Sequence, residues 1–396
     1  MSEVEDPASG FVRVSDFEFA AGWVPGYADD APLGPGGVLS GAGAVQVLER
    51  LLLEALLEPP CIIGFSGGRD SSALLAVAVQ VARREGLDPP IPVTKTYPDV
   101  PATDESAWQE LVIRWLGVDD WVRHEYHDEL DLLGPAATAS LRQHGLLWPG
   151  SAHNRGPTLE VARGGCYVDG EGGDEILGEF RITPVKQVIS RSRPLDRRAR
   201  RDALYALAPA RFRRGVATRQ VERWNNRPWL RPQVADWYAA TSVEDILGAA
   251  LPYPTAVRQT ASRRAGRVAL ANLDAVGRSL GVRYVHPFFA PDFVRALGDF
   301  GGRLGFVSRT ATMRALFTDL LPDAVNARDG KVYFNNAFIH GHSRAFLEQW
   351  DGTGLDTDLV DVEALRQVWR QPTIHSGTFQ LMQAAWLATQ ESSAET

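Results

Sequence analysis

The apolar run Cys61-Ile-Ile-Gly-Phe65 passes without a break into Ser66-Gly-Gly-Arg-Asp70-Ser71. ALLAVAVQVARREG follows, apolar at helical spacing as far as Gly86. A short apolar run without alternation is the pattern of a strand covered on both faces, as in parallel sheets. Parallel strands must be joined by crossovers, usually helical, so this one stretch already predicts an α/β sheet. The next residues repeat the unit. IPVTKTYP (91–98) reads as a second strand, DESAWQELVIRWLG (104–117) as a helix and DWVRHEYH (120–127) as a third strand. After the helical stretch PTLEVARGG (157–165), CYVDG (166–170) is a fourth strand. Strands alternating with helices indicate βαβ units. AVQVLERLLLEALL adds a helix over 44–57 before them, stopped by Pro59 and Pro60.

From about residue 186 strand signals fade, and QVISRS, RRDALYALAPARFRR, TSVEDILGAAL, RRAGRVALANLDAVGRSLG, PDFVRALGDF and TATMRALFTDLLP are all periodic at helical spacing. The expected organisation is an irregular Gly/Pro-rich arm over 1–45, an α/β core over 46–185 and a mainly helical half over 186–396. Composition sets the wider bounds. The 396 residues are 44% hydrophobic and 23% charged with a net charge of −8, ordinary for a globular chain without bias toward nucleic acid. No segment reaches the roughly 18 apolar residues that a membrane helix needs. The start, MSEVEDPASG, has neither a basic nor an apolar signal region, so a cytoplasmic location is expected. Cys61 and Cys166 form no CxxC pair and are expected to pack as small buried residues.

Two loops carry chemistry. In Ser66-Gly67-Gly68-Arg69-Asp70-Ser71, the glycines let backbone N–H groups converge at a helix N-terminus. Ser66 and Ser71 add hydroxyl donors, and Asp70 can hold a hydrated Mg²⁺ on phosphates. The lysine of a GxxxxGK[ST] loop is absent. The second loop, Asp169-Gly170-Glu171-Gly172-Gly173-Asp174-Glu175, follows the fourth strand. Ligands of open α/β sheets sit beyond the carboxyl ends of the strands, so the two loops should face each other. Asp70 and Asp174 would share Mg²⁺, and Glu171 would take a proton from an incoming amine. Phe65 and the second-strand residues Lys95, Thr96 and Tyr97 would flank a nucleoside.

The string SGGRDS resembles the pyrophosphate loop of the PP-loop ATP pyrophosphatases, an adenine nucleotide α-hydrolase-like fold. DGEGGDE is similar to the GEGSDE loop of its asparagine synthetase branch, with Gly173 where that family usually has Ser. HPFFAPDFVRAL (286–297) resembles the family's PFLD segment, with Ala290 in place of Asp. Arg328, Lys331 and Phe334 match the Arg…Lys…Phe run, with Arg and Lys three apart as in the macrolactam-forming branch. The resemblance covers about residues 44–390 and implies ATP as cosubstrate with Mg²⁺. Ser66, Gly67, Gly68, Asp70, Ser71 and Gly170 would cradle ATP phosphates, with the catalytic ammonium at Lys331. The reaction implied is adenylation of a carboxylate followed by amide formation, as in β-lactam synthetases and lasso-peptide cyclases. Glutamine-dependent relatives begin with a cysteine and a glutaminase domain. Here Ser2 and about 45 residues precede the helix at 44, so the amine is expected as free ammonia or as part of the substrate.

Three alternatives stay open on sequence: an intermolecular ligase or ammonia-dependent asparagine synthetase, a tRNA-modifying PP-loop enzyme, and a non-catalytic nucleotide-binding homologue. Residues 191–231 hold 13 Arg against Asp196, Asp202 and Glu222, with Trp224 and Trp229 among them. They read either as a solvated face or as a patch for an acidic peptide, a leader-binding or protease partner, or RNA. Ten acids over 99–131 argue against a continuous nucleic-acid groove. His124, His127 and His153 lack metal-ligand spacing, and His153-Asn154 are candidates for the pocket border.

Overall fold

The computed structural model describes residues 4–6, 10–28, 43–330 and 337–394. Its centre is a five-stranded parallel sheet. After a hairpin of β1 (Val4–Asp6) and β2 (Phe11–Arg13) come β3 (Cys61–Gly64), β4 (Ile91–Thr96), β5 (Val122–Glu125), β6 (Cys166–Val168) and β7 (Arg283–Val285). The order across the sheet is β5-β4-β3-β6-β7, every pair parallel. The strand with the strongest apolar run, β3, is therefore central, as burial on both faces requires.

Alternation divides β3 between two cores. Cys61, Ile63 and Phe65 face the helices Ala44–Leu56 and Arg69–Glu85, while Ile62 faces Leu273 and Val276 of the helix Arg264–Ser279. Ile63 is fully buried, and removing such a side chain from water contributes about 2 kcal/mol. The helix Arg69–Glu85 ends where Gly86 takes φ +67, a left-handed cap that glycine adopts without a Cβ clash. A third core is helical, with Trp229, Trp350, Trp369 and Met382 packed on Ala20 and Ala21.

Two boundaries differ from expectation. The fifth strand comes from residues 283–285, so the sheet is not confined to 46–185. Likewise, one apolar cluster runs from Ala44 to Val325 across the expected division. Within the arm expected to be irregular, residues 11–13 form a strand and Asp16–Ala21 a helix. The physical reason is local: Ser15 and Glu18 form a reciprocal capping box, and Asn272 bonds both the N–H and the carbonyl of Val12. Cys61 and Cys166 are in register on neighbouring strands, both buried and free. Among the described residues, no helix is long and apolar enough to cross a membrane.

Candidate active site

Because β3 and β6 are neighbours, the loops that leave their carboxyl ends lie side by side. They enclose a cavity of about 310 Å³ lined by Phe65, Ser66, Gly68, Asp70, Ser71, Lys95, Gly170, Glu171 and Asp174. Thr96 lies instead in an adjoining cavity of about 610 Å³, which shares Lys95 and Tyr97 with the first. Gly67 holds the loop geometry at φ +82, where a Cβ would meet Gln109 Cγ at 2.8 Å.

The first loop is tied from within and from behind. Ser66 Oγ and Ser71 Oγ are 3.1 Å apart, and the Gly68 N–H donates to Ser66 Oγ at 3.2 Å. From behind, Arg328 donates to the Gly67 carbonyl at 2.9 Å and Gln109 to that of Ser66 at 3.1 Å. Arg328 is itself buried, paired with buried Glu105 and set over the Trp108 ring at 4.9 Å. A guanidinium so enclosed costs several kcal/mol to leave unpaired, so the clamp fixes the loop. Lys331, Phe334 and the rest of 331–336 lie outside the described residues.

Asp70 and Asp174 converge on one cation, as their place at the mouths of neighbouring strands demands. That cation is Arg309, whose Nη2 lies 2.7 and 2.6 Å from the two Asp70 oxygens while Nη1 contacts Asp174. Burial raises the Asp70 carboxyl above its usual range, with the Arg309 charge opposing. Arg309 opens the helix Arg309–Phe317, capped by Ser308. Gly173 is explained by the same cluster: a Cβ there would stand 2.2 Å from Asp70 Cγ. Serine at this position would displace a carboxylate that Arg309 holds in place.

The opposite wall is basic. Arg155 pairs with Glu171 at 3.3 Å, and the Glu171 side chain is 46% exposed. Burial, then the Arg155 charge, lowers the Lys95 ammonium to about 7. Behind Glu171, its N–H donates to Asp169 Oδ1 at 3.2 Å, which also accepts from His286 Nδ1 at 2.9 Å. His286 Nε2 reaches Asp274 at 3.2 Å. Burial would lower this imidazolium, but the two carboxylates outweigh it and raise it to about 10. His286 is thus a cation at neutral pH that orients the second loop.

Arg155, Arg309 and His286 were not singled out from sequence. Arg309 and His286 act across more than a hundred residues, Arg155 is set 16 residues before Glu171 in a stretch with no motif, and arginine is common in this chain. The only available signal was that Arg155 follows the candidate His153-Asn154 pair. Those two do not line the cavity: His153 is buried against Ser140 at 3.0 Å, and Asn154 bonds the Leu130 carbonyl at 2.7 Å. His127 pairs with Asp99 at 2.6 Å. Among the described residues no group of three or more His, Cys, Asp and Glu gathers around a metal position.

The family model described as asparagine synthase matches residues 57–394, from just after the helix before β3 to the last helix. That span is most of the chain and includes both loops. The chain belongs to the asparagine synthase family. No curated protein is matched. Members of this family are carbon–nitrogen ligases that use ATP and release AMP and pyrophosphate, and the chain is an ATP-dependent amide-bond-forming enzyme of that kind.

Proposed function

We propose that this enzyme adenylates a carboxylate of a peptide and closes it onto an amine of the same molecule, giving a macrolactam or isopeptide bond. The observation that carries the adenylating half is the convergence of Asp70 and Asp174 on a single cationic centre beside the glycine loop. Two hard oxygen donors at that centre suit Mg²⁺, which would neutralise the leaving pyrophosphate. Ser66, Gly67, Gly68, Ser71 and Gly170 receive the phosphates. Arg309 is a further cation for them, and the cavity reached by Thr96 and Tyr97 takes the nucleoside.

The substrate carboxylate attacks the α phosphorus and expels pyrophosphate. The amine then attacks the acyl carbon, loses its proton to Glu171 and expels AMP. Lys331 steadies the negative charge that develops on the acyl oxygen, a role worth about 3–4 kcal/mol for a well-aimed donor. Arg328, anchored on the phosphate loop three residues before Lys331, supports that assignment. The same three-residue spacing is the support for ring closure over ammonia transfer. The test is ATP–pyrophosphate exchange with linear peptides bearing Asp or Glu side chains, followed by mass analysis for loss of water without a second molecule added. Aspartate-dependent exchange yielding asparagine from ammonia would replace the ring-closing reading.

A further inference from the structure

The largest departure from the chain's acidic average lies away from the nucleotide. Residues 191–231 carry 13 Arg against three acids in a protein of net charge −8. The same stretch is unusually apolar at its surface. Leu195, Leu204, Leu207, Phe212, Val216 and Trp224 are all exposed, Trp224 at 62%, with Ile189 just before them, whereas four such side chains are spread over the rest of the described residues. So many exposed apolar side chains within one cationic stretch favour a contact surface over a solvated face.

Under this surface lies a cavity of about 690 Å³ between the helices Arg197–Leu207, Ala210–Trp224 and Pro232–Gly248. Its walls include the rings of Phe180, Tyr205, Trp224 and Tyr238. Among the described residues, three polar atoms on residues that line it, Trp23 Nε1, Tyr205 Oη and Ser242 Oγ, are buried without a hydrogen-bond partner. Ser242 is only 7% exposed.

The cavity is also braced. Arg181 donates to the carbonyls of Ala206, Ala208 and Ala249, and Arg213 to those of Ala208, Ile246 and Leu247. Both guanidiniums thereby hold helix ends apart as walls, and among the described residues neither meets a carboxylate. The occupant that fits is an apolar ring, approached across a cationic, apolar rim.

From these features the structure assigns, we infer, a docking site for an acidic peptide segment that seats one aromatic side chain in this cavity. Its ring would lie among those of Phe180, Tyr205 and Tyr238, and its carboxylates would meet the arginines of the rim. The inference does not depend on which carboxylate the enzyme activates.

The test uses the full chain and three probes: a fluorescein-labelled Glu-rich peptide with one central Trp, the same peptide with that Trp changed to Ala, and an oligouridylate of equal length. Anisotropy should report saturable binding of the first peptide, weakened about tenfold by the Trp→Ala change, the scale of one anchoring aromatic. Trp224→Ala and Ser242→Leu should weaken it similarly, with circular dichroism and ATP binding unchanged. Arg197→Glu with Arg200→Glu, both exposed and neither lining the cavity, gives a charge-reversed variant that should also lose affinity. Equal binding of the two peptides, indifference to Trp224→Ala and Ser242→Leu, or tighter binding of the oligouridylate would each overturn the site.

Discussion

At the scale of single residues, the phosphate cavity is a balance of buried charges. Arg309 joins Asp70 to Asp174, and Arg309→Ala should lower carboxylate-dependent pyrophosphate exchange by at least about 100-fold, comparable to loss of a fixed transition-state donor. Lys95 gives a pH signature. Its ammonium is lowered to about 7, whereas phosphate favours the charged form. ATP binding above pH 7 must therefore draw a proton onto Lys95, and affinity should fall as pH rises. Calorimetry in buffers of different ionisation enthalpy should show proton uptake near pH 8, absent in Lys95→Met. That the residues of the two loops would line one cavity was legible in sequence, because each loop is a local object with its glycines and polar groups adjacent along the chain. Arg155 and Arg309 were not, because their partners are brought by the fold, and 41 basic residues including only three lysines make any one arginine unremarkable.

Among elements, strands with an apolar run of strand length, such as Cys61–Gly64 and Ile91–Thr96, could be read directly. Arg283–Val285 could not: three residues with an exposed arginine give no run, and its strand character is imposed by pairing with Cys166–Val168. Similarly, the helix Asp16–Ala21 rests on a capping box within a Gly- and Pro-rich stretch whose composition points to irregular chain. The loop after Cys166–Val168 has its own prediction. Gly173→Ser places a side chain against Asp70 and should impair ATP binding several-fold without unfolding the sheet, as near-ultraviolet dichroism would show. Arg328→Met leaves Glu105 buried and unpaired, which should cost about 3–5 kcal/mol in denaturant unfolding.

At the scale of the whole molecule, the asparagine synthase-like site is assembled from distant stretches of the sequence, and His286 is one of the joints. It links Asp169 on the second loop to Asp274 on the helix Arg264–Ser279. Its pKa of about 10 lies above the ordinary 6.5. The stabilisation is therefore complete below about pH 6.5 and lost as pH rises through 10. His286→Gln should lower the Tm at pH 7, with the gap from wild type closing toward pH 10 and above.

The central claim is that the cavity between residues 66–71 and 169–175 splits ATP between the α and β phosphates to adenylate a carboxylate. ATP–pyrophosphate exchange measures this step alone. The wild type should exchange label only when a carboxylate substrate is present, and Asp174→Asn should abolish the exchange. Equal exchange by wild type and Asp174→Asn, or ADP in place of AMP as the product, would contradict the claim.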